Sequence, residues 1–323
     1  MYSRDNVKSA RKPKPVLIDT DTGVDDALAI LYAMHSPEIH VEAITTVAGN
    51  VEVEKCTRNA NTILTFARSD YKPTVFQGSS KPLRRVLVTA PEVHGADGLG
   101  NTQPAIRKSR SGGGDAAIDR ICQLCDQFSD RLTIIALGPL TNIARAFRKN
   151  PRSMRKVKRI VSMGGAFRVP GNTGPVAEFN YFVDPEAANA VLNAELPLTI
   201  VPLDVTEQIV LMRNHLRKLV HKYRTKSSAF IYRFTGNYMR YHKSTLGIHG
   251  GYLHDPLAVA LAVQPSLALV KNVHVDVECG SRLTRGMTVG DFRRQGTRID
   301  PEVVVEFDRN KFLELFLDRV LAH

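Results

Sequence analysis

The sequence predicts an α/β fold: a single domain on an open, mostly parallel, Rossmann-like sheet with helices on both faces. Three observations carry that expectation. Short apolar runs alternate with amphipathic helical patterns through the first two thirds of the chain, and parallel strands need such crossovers. Polar and glycine-rich clusters directly follow several of the apolar runs, where open parallel sheets bind ligands. The 323 residues, 43% of them hydrophobic, suffice for one large core, and no repeat or low-complexity linker marks a boundary.

The elements follow in order. Residues 16–18 read as a strand, followed by a helix opening at Asp25 or Asp26 and running to Met34. Residues 41–47 form the next strand and about 53–68 the helix after it. Buried strands are expected at 74–76, 132–136, 160–163 and 198–201, with helices at 116–128, 140–148 and 185–192 between them. Residues 212–263 are mainly helical, and within them Phe230, Ile231, Phe234 and Tyr238 recur at helical spacing as a core stripe. The chain closes with strand-like runs at 270–277 and 303–307, then a helix from an N-cap at Asp308 to about Leu321. Residues 1–15 carry Arg4, Lys8, Arg11, Lys12 and Lys14 without an apolar run. They read as a flexible basic tail rather than a secretory signal, which leaves 16–323 as the folded domain.

The net charge of +12 raises the question of nucleic acid. Basic residues gather in 145–159 and 213–226, but as exposed helix faces without interleaved aromatics; Trp is absent and aromatics make up only 7%. A solvated basic surface is the better reading, with no nucleic-acid partner. No apolar stretch reaches membrane-spanning length, so no membrane association is expected. Cys56, Cys122, Cys125 and Cys279 are too few for a disulfide scaffold, and Cys122-x-x-Cys125 has no second pair to complete a zinc site. Reduced thiols and a cytoplasmic setting follow.

Four carboxylates, Asp19, Asp21, Asp25 and Asp26, crowd into eight residues directly after the first strand. Packed acids raise one another's pKa unless something positive sits among them. Such a run suits a hard cation with oxygen ligands or acid–base chemistry. A turn through Gly23 lets Asp21 and Asp26 approach each other at the start of a helix. An EF-hand is excluded, because no bidentate Glu stands at the twelfth loop position and the flanks are strand then helix. One Asp would suffice to cap the helix; four exceed that need.

Other polar clusters fall at strand ends: Val47-Ala48-Gly49-Asn50, residues 137–142 and Met163-Gly164-Gly165. Ala177-Glu178-Phe179-Asn180 sits in the long loop 164–185, and 94–100 forms another long loop that could act as a lid. His254-Asp255-Pro256 opens a helical run, as an ordinary helix start also would.

With these residues in view, the sequence resembles the nucleoside hydrolases, the inosine–uridine-preferring N-ribohydrolase family. Asp19-x-Asp21-x-Gly23-x-Asp25-Asp26-Ala27 resembles its signature. Thr45-Thr46-Val47-Ala48-Gly49-Asn50, His94-Gly95, Gly138-x-Leu140-Thr141-Asn142, Met163-Gly164-Gly165, Glu178-Phe179-Asn180 and His254-Asp255-Pro256 follow in the family's order, from about Val16 to the chain's end. The resemblance implies a Ca²⁺-dependent hydrolase that splits ribonucleosides into ribose and free base in nucleoside salvage, assembled as a homodimer or homotetramer. It implies Asp21, Asp26, Asp255 and the Leu137 carbonyl as metal ligands, and Asp25 as the base that takes a proton from water. Asn50, Asn172, Glu178 and Asn180 would hold the sugar hydroxyls, with Met163 and Phe179 lining the pocket. Positive charge builds on the sugar ring during cleavage, and nearby carboxylate and amide oxygens stabilise it. His254 is the candidate acid for the leaving base, and His94 is a further base contact or a lid residue. In the segment before His254, Tyr241, His242 and His249 are the candidates for contacting the base, whose identity the spacing leaves open.

Two other readings compete. A phosphatase of the haloacid dehalogenase type also begins with a strand and Asp-x-Asp, but Gly23 stands where that class has Thr or Val, and its later acidic motif is missing. A non-catalytic nucleoside-binding protein would be marked by loss of Asp25 or His254, and both are present.

Overall fold

The computed structural model describes residues 12–102, 115–293 and 300–322, so most of the expected basic tail lies outside the described residues. Twelve strands are defined among them. They are β1 (Lys14–Thr20), β2 (Ile39–Thr46), β3 (Thr74–Gln77), β4 (Thr133–Ala136), β5 (Arg159–Met163) and β6 (Leu198–Val201), then β7 (Val210–Met212), β8 (Gly250–Tyr252), β9 (Ala268–Asn272), β10 (Val275–Val277), β11 (Thr288–Gly290) and β12 (Glu302–Phe307). Eight of these form one sheet in the order β3-β2-β1-β4-β5-β6-β12-β9, parallel throughout except where β9 runs antiparallel to β12 at the edge. The expected α/β architecture is the one observed.

Alternation along the strands explains the double cover. Val16 and Ile18 of β1, Ile135 of β4 and Val161 of β5 face one apolar layer, with the helices Val24–Met34, His254–Val263 and Arg309–Leu321. Leu17, Ile134 and Ile160 face the other, with the helices Ala116–Phe128, Thr141–Lys149 and Pro185–Leu192. Side chains of period two thus feed two cores, as in sheets buried on both faces. The helix Val24–Met34 is buried along its whole length, so the acids at its start have no route to bulk water along its flanks.

Three expectations need correction. β1 begins at Lys14, so Lys14 and Pro15 belong to the sheet rather than to a tail. The Lys14 ammonium donates to the carbonyls of Ala262 (3.4 Å) and Val263 (3.2 Å), where helix His254–Val263 ends and its dipole favours a cation. The run 270–277 is two strands: β9 stays in the main sheet, while β10 leaves to pair with β11 as a separate ribbon. The helical section 212–263 also contains β8, which pairs with β7 through two consecutive glycines, Gly250 and Gly251. Glycine lacks the β-branched signature that marks strands, and pairing with a distant partner overrides that lack. Among the described residues, no helix is long and apolar enough to cross a membrane.

Candidate active site

β1 occupies the middle of the sheet, between β2 and β4, and the chain leaves its carboxyl end straight into the aspartate run. Crossovers depart in opposite directions on either side of this strand, which opens a crevice where α/β sheets place ligands.

The four acids of the run separate in space. Asp19 faces inward and ties elements together: one carboxylate oxygen accepts from Thr45 Oγ1 on β2 (2.6 Å) and from Asn142 Nδ2 (2.8 Å). Burial raises its pKa to about 7. Asp21 is fully buried; one oxygen accepts the Asn50 backbone N–H at 2.7 Å, and Oδ1 has no partner among the described residues. Asp26 accepts from the Thr20 hydroxyl, from the Gly23 N–H (2.9 Å) and from Asn50 Nδ2 (3.0 Å), so it also closes the first turn of its helix. Oxygens of Asp25, Asp26 and Asp255 all lie within 4.8 Å of one another. Asp25 therefore stands within ligating range beside Asp26 and Asp255, and Asp21 lies deeper.

These carboxyls shift as buried like charges must. Desolvation, then repulsion from Asp26, holds Asp21, Asp25 and Asp255 well above the usual carboxylate range. Among the described residues no lysine or arginine pairs with them; the nearest base is His94, whose Nδ1 is 4.0 Å from Asp25. An oxygen-only donor set, mutual repulsion and an orphaned buried Asp21 oxygen together fit a hard divalent cation.

Two glycines allow the turns to close on Asp21. A Cβ at Gly49 would fall 2.1 Å from Asp21 Oδ2, and one at Gly138 would fall 2.9 Å from Oδ1. Gly49→Ala is expected to displace that carboxylate, to destabilise the fold by about 1–3 kcal/mol and to weaken any stabilisation by an added divalent cation. Gly236→Ala, whose nearest neighbour is 3.7 Å away, is the control in the same thermal melts.

A cavity of about 280 Å³ opens above the cluster, near the lower end of ligand-pocket sizes. Asp25, Asp255, Leu137, Asn50, Glu178 and Asn180 line its buried floor. Asn180 Nδ2 donates to the carbonyls of Leu137 (2.8 Å) and Met163 (3.2 Å), which commits both its hydrogens and leaves Oδ1 for a ligand. Glu178 caps the helix Phe179–Val183 by accepting from the N–H groups of Asn180 (2.9 Å) and Tyr181 (3.1 Å), and it also accepts from Gly165 (3.2 Å). Burial raises its pKa to about 7. Met163, Phe179 and Asn172 reach the cavity as well; Asn172 Oδ1 accepts the Phe179 N–H at 2.9 Å and so docks its loop on that helix.

The upper wall is aromatic. Rings of His94, Tyr238, His242, Tyr252 and His254 succeed one another at centroid distances of 5.7, 4.4, 5.2 and 5.2 Å, and Tyr241 touches His242. Burial, and the neighbouring imidazoles, lower the pKa of both His94 and His254 to about 3, so each is neutral at pH 7. His94 Nδ1 accepts the Val24 N–H at 3.1 Å. The loop after it is held by the Gly100 N–H on the His94 carbonyl (2.7 Å) and Asn59 Nδ2 on the Asp97 carbonyl (2.9 Å), with His94 standing in the cavity wall. His254 Nδ1 bonds the Thr206 hydroxyl at 2.8 Å.

One expected contact is misplaced. His249 is exposed and does not line the cavity, because Gly247 ends the preceding helix in the left-handed region and turns the chain outward before β8. Tyr241 and His242 do line it. Tyr238, expected in the core, is both buried and part of the cavity wall, with its hydroxyl donating to the Tyr252 carbonyl at 3.0 Å. Thr206, Glu207 and Tyr252 were not anticipated. The first two follow β6 at the sheet's carboxyl end, the position that should have marked them.

A doubly covered parallel sheet with a carboxylate-lined pocket at its switch point is the arrangement of an α/β enzyme that works with carboxylates. The inosine-uridine preferring nucleoside hydrolase family matches residues 16–314, and the chain belongs to that family. It is thus a ribonucleoside hydrolase, an enzyme that cleaves N-glycosidic bonds. An inosine-uridine preferring nucleoside hydrolase of Leishmania major is 39% identical over 308 residues, covering 95% of this chain and 97% of that one. Among solved structures, a plant nucleoside hydrolase superposes with a TM-score of 0.89 at 36% identity, covering 96% of this chain and 100% of the other. A purine-preferring ribonucleoside hydrolase from Gardnerella vaginalis gives 0.87 at 33% identity, covering 95% and 98%. The phosphatase and non-catalytic readings are thereby set aside.

Proposed function

We propose that this enzyme hydrolyses ribonucleosides, inosine and uridine among them, to ribose and free base in a Ca²⁺-dependent reaction. The observation that carries the reading is the meeting of the Asp25, Asp26 and Asp255 oxygens within 4.8 Å at the floor of a nucleoside-sized cavity. Asp21, Asp26, Asp255 and the Leu137 carbonyl are assigned to hold the ion. Bound there, Ca²⁺ would supply the positive charge that makes water more acidic and anchors the ribose diol.

The chain's own groups do the rest. Asp25, at the cavity floor and 6% exposed, takes a proton from water as its oxygen bonds to C1′. The C1′–N bond breaks with its electron pair moving to the base, and the sugar passes through an oxocarbenium-like state. Asn50, Asn172, Glu178 and Asn180 hold the sugar hydroxyls, and their oxygens face the developing charge. Met163 and Phe179 pack against the ring. His254, neutral and with Nδ1 engaged by Thr206, offers an Nε2–H hydrogen bond to the departing base, whose anion then takes from solvent a proton equivalent to the one Asp25 has received from the attacking water. Four free thiols suit a cytoplasmic enzyme of nucleoside salvage, and a homodimer or homotetramer is the expected assembly, to be checked by light scattering.

The test is release of free base from inosine, uridine, cytidine and adenosine, with Ca²⁺ and after chelation. Base release from inosine or uridine that stops on chelation is expected. Tight nucleoside binding without turnover would refute the proposed reaction.

A further inference from the structure

We propose that Glu207 reads the base of the bound nucleoside: its carboxylate accepts a hydrogen bond from a ring N–H on the edge facing away from the sugar. This rests on the reaction proposed above and adds to it a specificity determinant outside the catalytic floor.

The cavity has a depth order. Its floor groups Asp25, Asn50, Glu178, Asn180 and Asp255 are buried, whereas Glu207, Tyr241 and Tyr252 are half-buried and Thr245 and Leu246 exposed. A ribose bound at the floor therefore directs its base outward, between the aromatic wall and Glu207. Glu207 is delivered there by the short helix Leu203–Thr206 after β6, which it caps through its own N–H on the Leu203 carbonyl (3.0 Å). The same segment supplies Thr206 to His254, so one turn of chain serves both the leaving-group histidine and the outer cavity. Asp204 at its start is already committed, accepting the N–H groups of Phe167 (2.9 Å) and Arg168 (2.8 Å).

Glu207 differs from Glu178 on the floor, whose carboxylate is filled by three backbone N–H groups. Among the described residues, nothing donates a hydrogen bond to Glu207 and no cation pairs with it. Burial and the Asp204 charge instead push its pKa up to about 6. A half-buried, mostly ionised carboxylate to which no protein group donates keeps its oxygens open to water, and a ligand N–H that displaces that water gains a charge-assisted hydrogen bond. Ring N–H groups of uracil and hypoxanthine are such donors. Sites that use a buried acceptor in this way discriminate against analogues lacking the N–H.

The experiment compares kcat/KM for uridine with 3-methyluridine, and for inosine with 1-methylinosine, in wild type, Glu207→Gln and Glu207→Ala, all with Ca²⁺ and with thermal melts to confirm folding. In whichever pair the wild type turns over faster, a preference for the parent nucleoside of about 10–100-fold is expected from one hydrogen bond to a charged group. The preference should fall in Gln, which keeps the size but loses the charge, and fall further toward unity in Ala. An unchanged ratio in Ala, a Gln variant with the full wild-type ratio (bulk rather than charge excluding the methyl), or a wild type indifferent to methylation would each overturn the assignment. A wild type that releases no base from any of the four nucleosides would instead remove the underlying reaction.

Discussion

Asp25→Ala is expected to lower kcat by about 10²–10⁴-fold, the usual contribution of a general base, while Ca²⁺ still binds. The expectation turns on how the neighbouring carboxylates divide their work. Asp26 is anchored by Thr20, Gly23 and Asn50, and Asp21 by the Asn50 N–H. Asp25 accepts no such side-chain anchor; it lies on the cavity wall with His94 Nδ1 at 4.0 Å. A fixed pair suits ion binding, and the acid facing the cavity suits proton transfer. Asp26→Ala should accordingly lose Ca²⁺ affinity and activity together. Calorimetric Ca²⁺ titration of both variants, alongside single-turnover base release, separates the roles. Asp25→Ala that loses Ca²⁺ as completely as Asp26→Ala would show that Asp25 is itself a ligand.

Removing the ion should have a comparably large effect on stability, with a definite dependence on pH. Asp21, Asp25 and Asp255 titrate well above the ordinary range, and Asp19 and Glu178 near 7. A carboxyl whose folded pKa is raised binds its proton more tightly in the native state, so its contribution is greatest in acid. That contribution is lost as pH rises from about 4 through the folded value. His94 and His254, lowered to about 3, act oppositely: they lose stability as pH falls below about 6.5. The ion-free protein thus carries more of the repulsion among its buried acids at pH 7.5 than at pH 5, where protons neutralise them. Ca²⁺ at about a hundred times its Kd adds about 2.7 kcal/mol, worth several degrees in Tm for a chain of this size. The gain should be larger at pH 7.5 than at pH 5, where protons compete for the same oxygens. Calorimetric scans at both pH values check this, and a gain that is absent at pH 7.5, or greater at pH 5, would contradict the ion site.

Much of the sheet could be read directly. β1, β2, β4, β5 and β6 are apolar runs bounded by polar turns, and burial on both faces makes such runs conspicuous. The acids at the end of β1 and just beyond it were equally plain, because four carboxylates in eight residues satisfy no ordinary packing need. Asp19, the member whose purpose was least defined, proves to be a tie between β1, β2 and the helix Thr141–Lys149. What escaped was set by long-range geometry. β8 is short and glycine-rich and exists through its partner β7. His249 looked equivalent to Tyr241 and His242 by spacing, until a left-handed Gly247 turned it away. Thr206 and Glu207 belong to no motif, and only the return of the His254 helix beside them brings Thr206 to His254 and Glu207 into the cavity wall.

The candidate ion ligands come from opposite ends of the chain, Asp21 just after the first strand and Asp255 near the start of the helix His254–Val263. Anything held between them closes a loop spanning most of the polypeptide, as a covalent cross-link would, but one that can be opened by chelation. The ion then acts on the timing of unfolding as well as on its equilibrium. A bound site must let go before strand and helix separate, so depletion of the ion should speed unfolding and expose the chain to proteases.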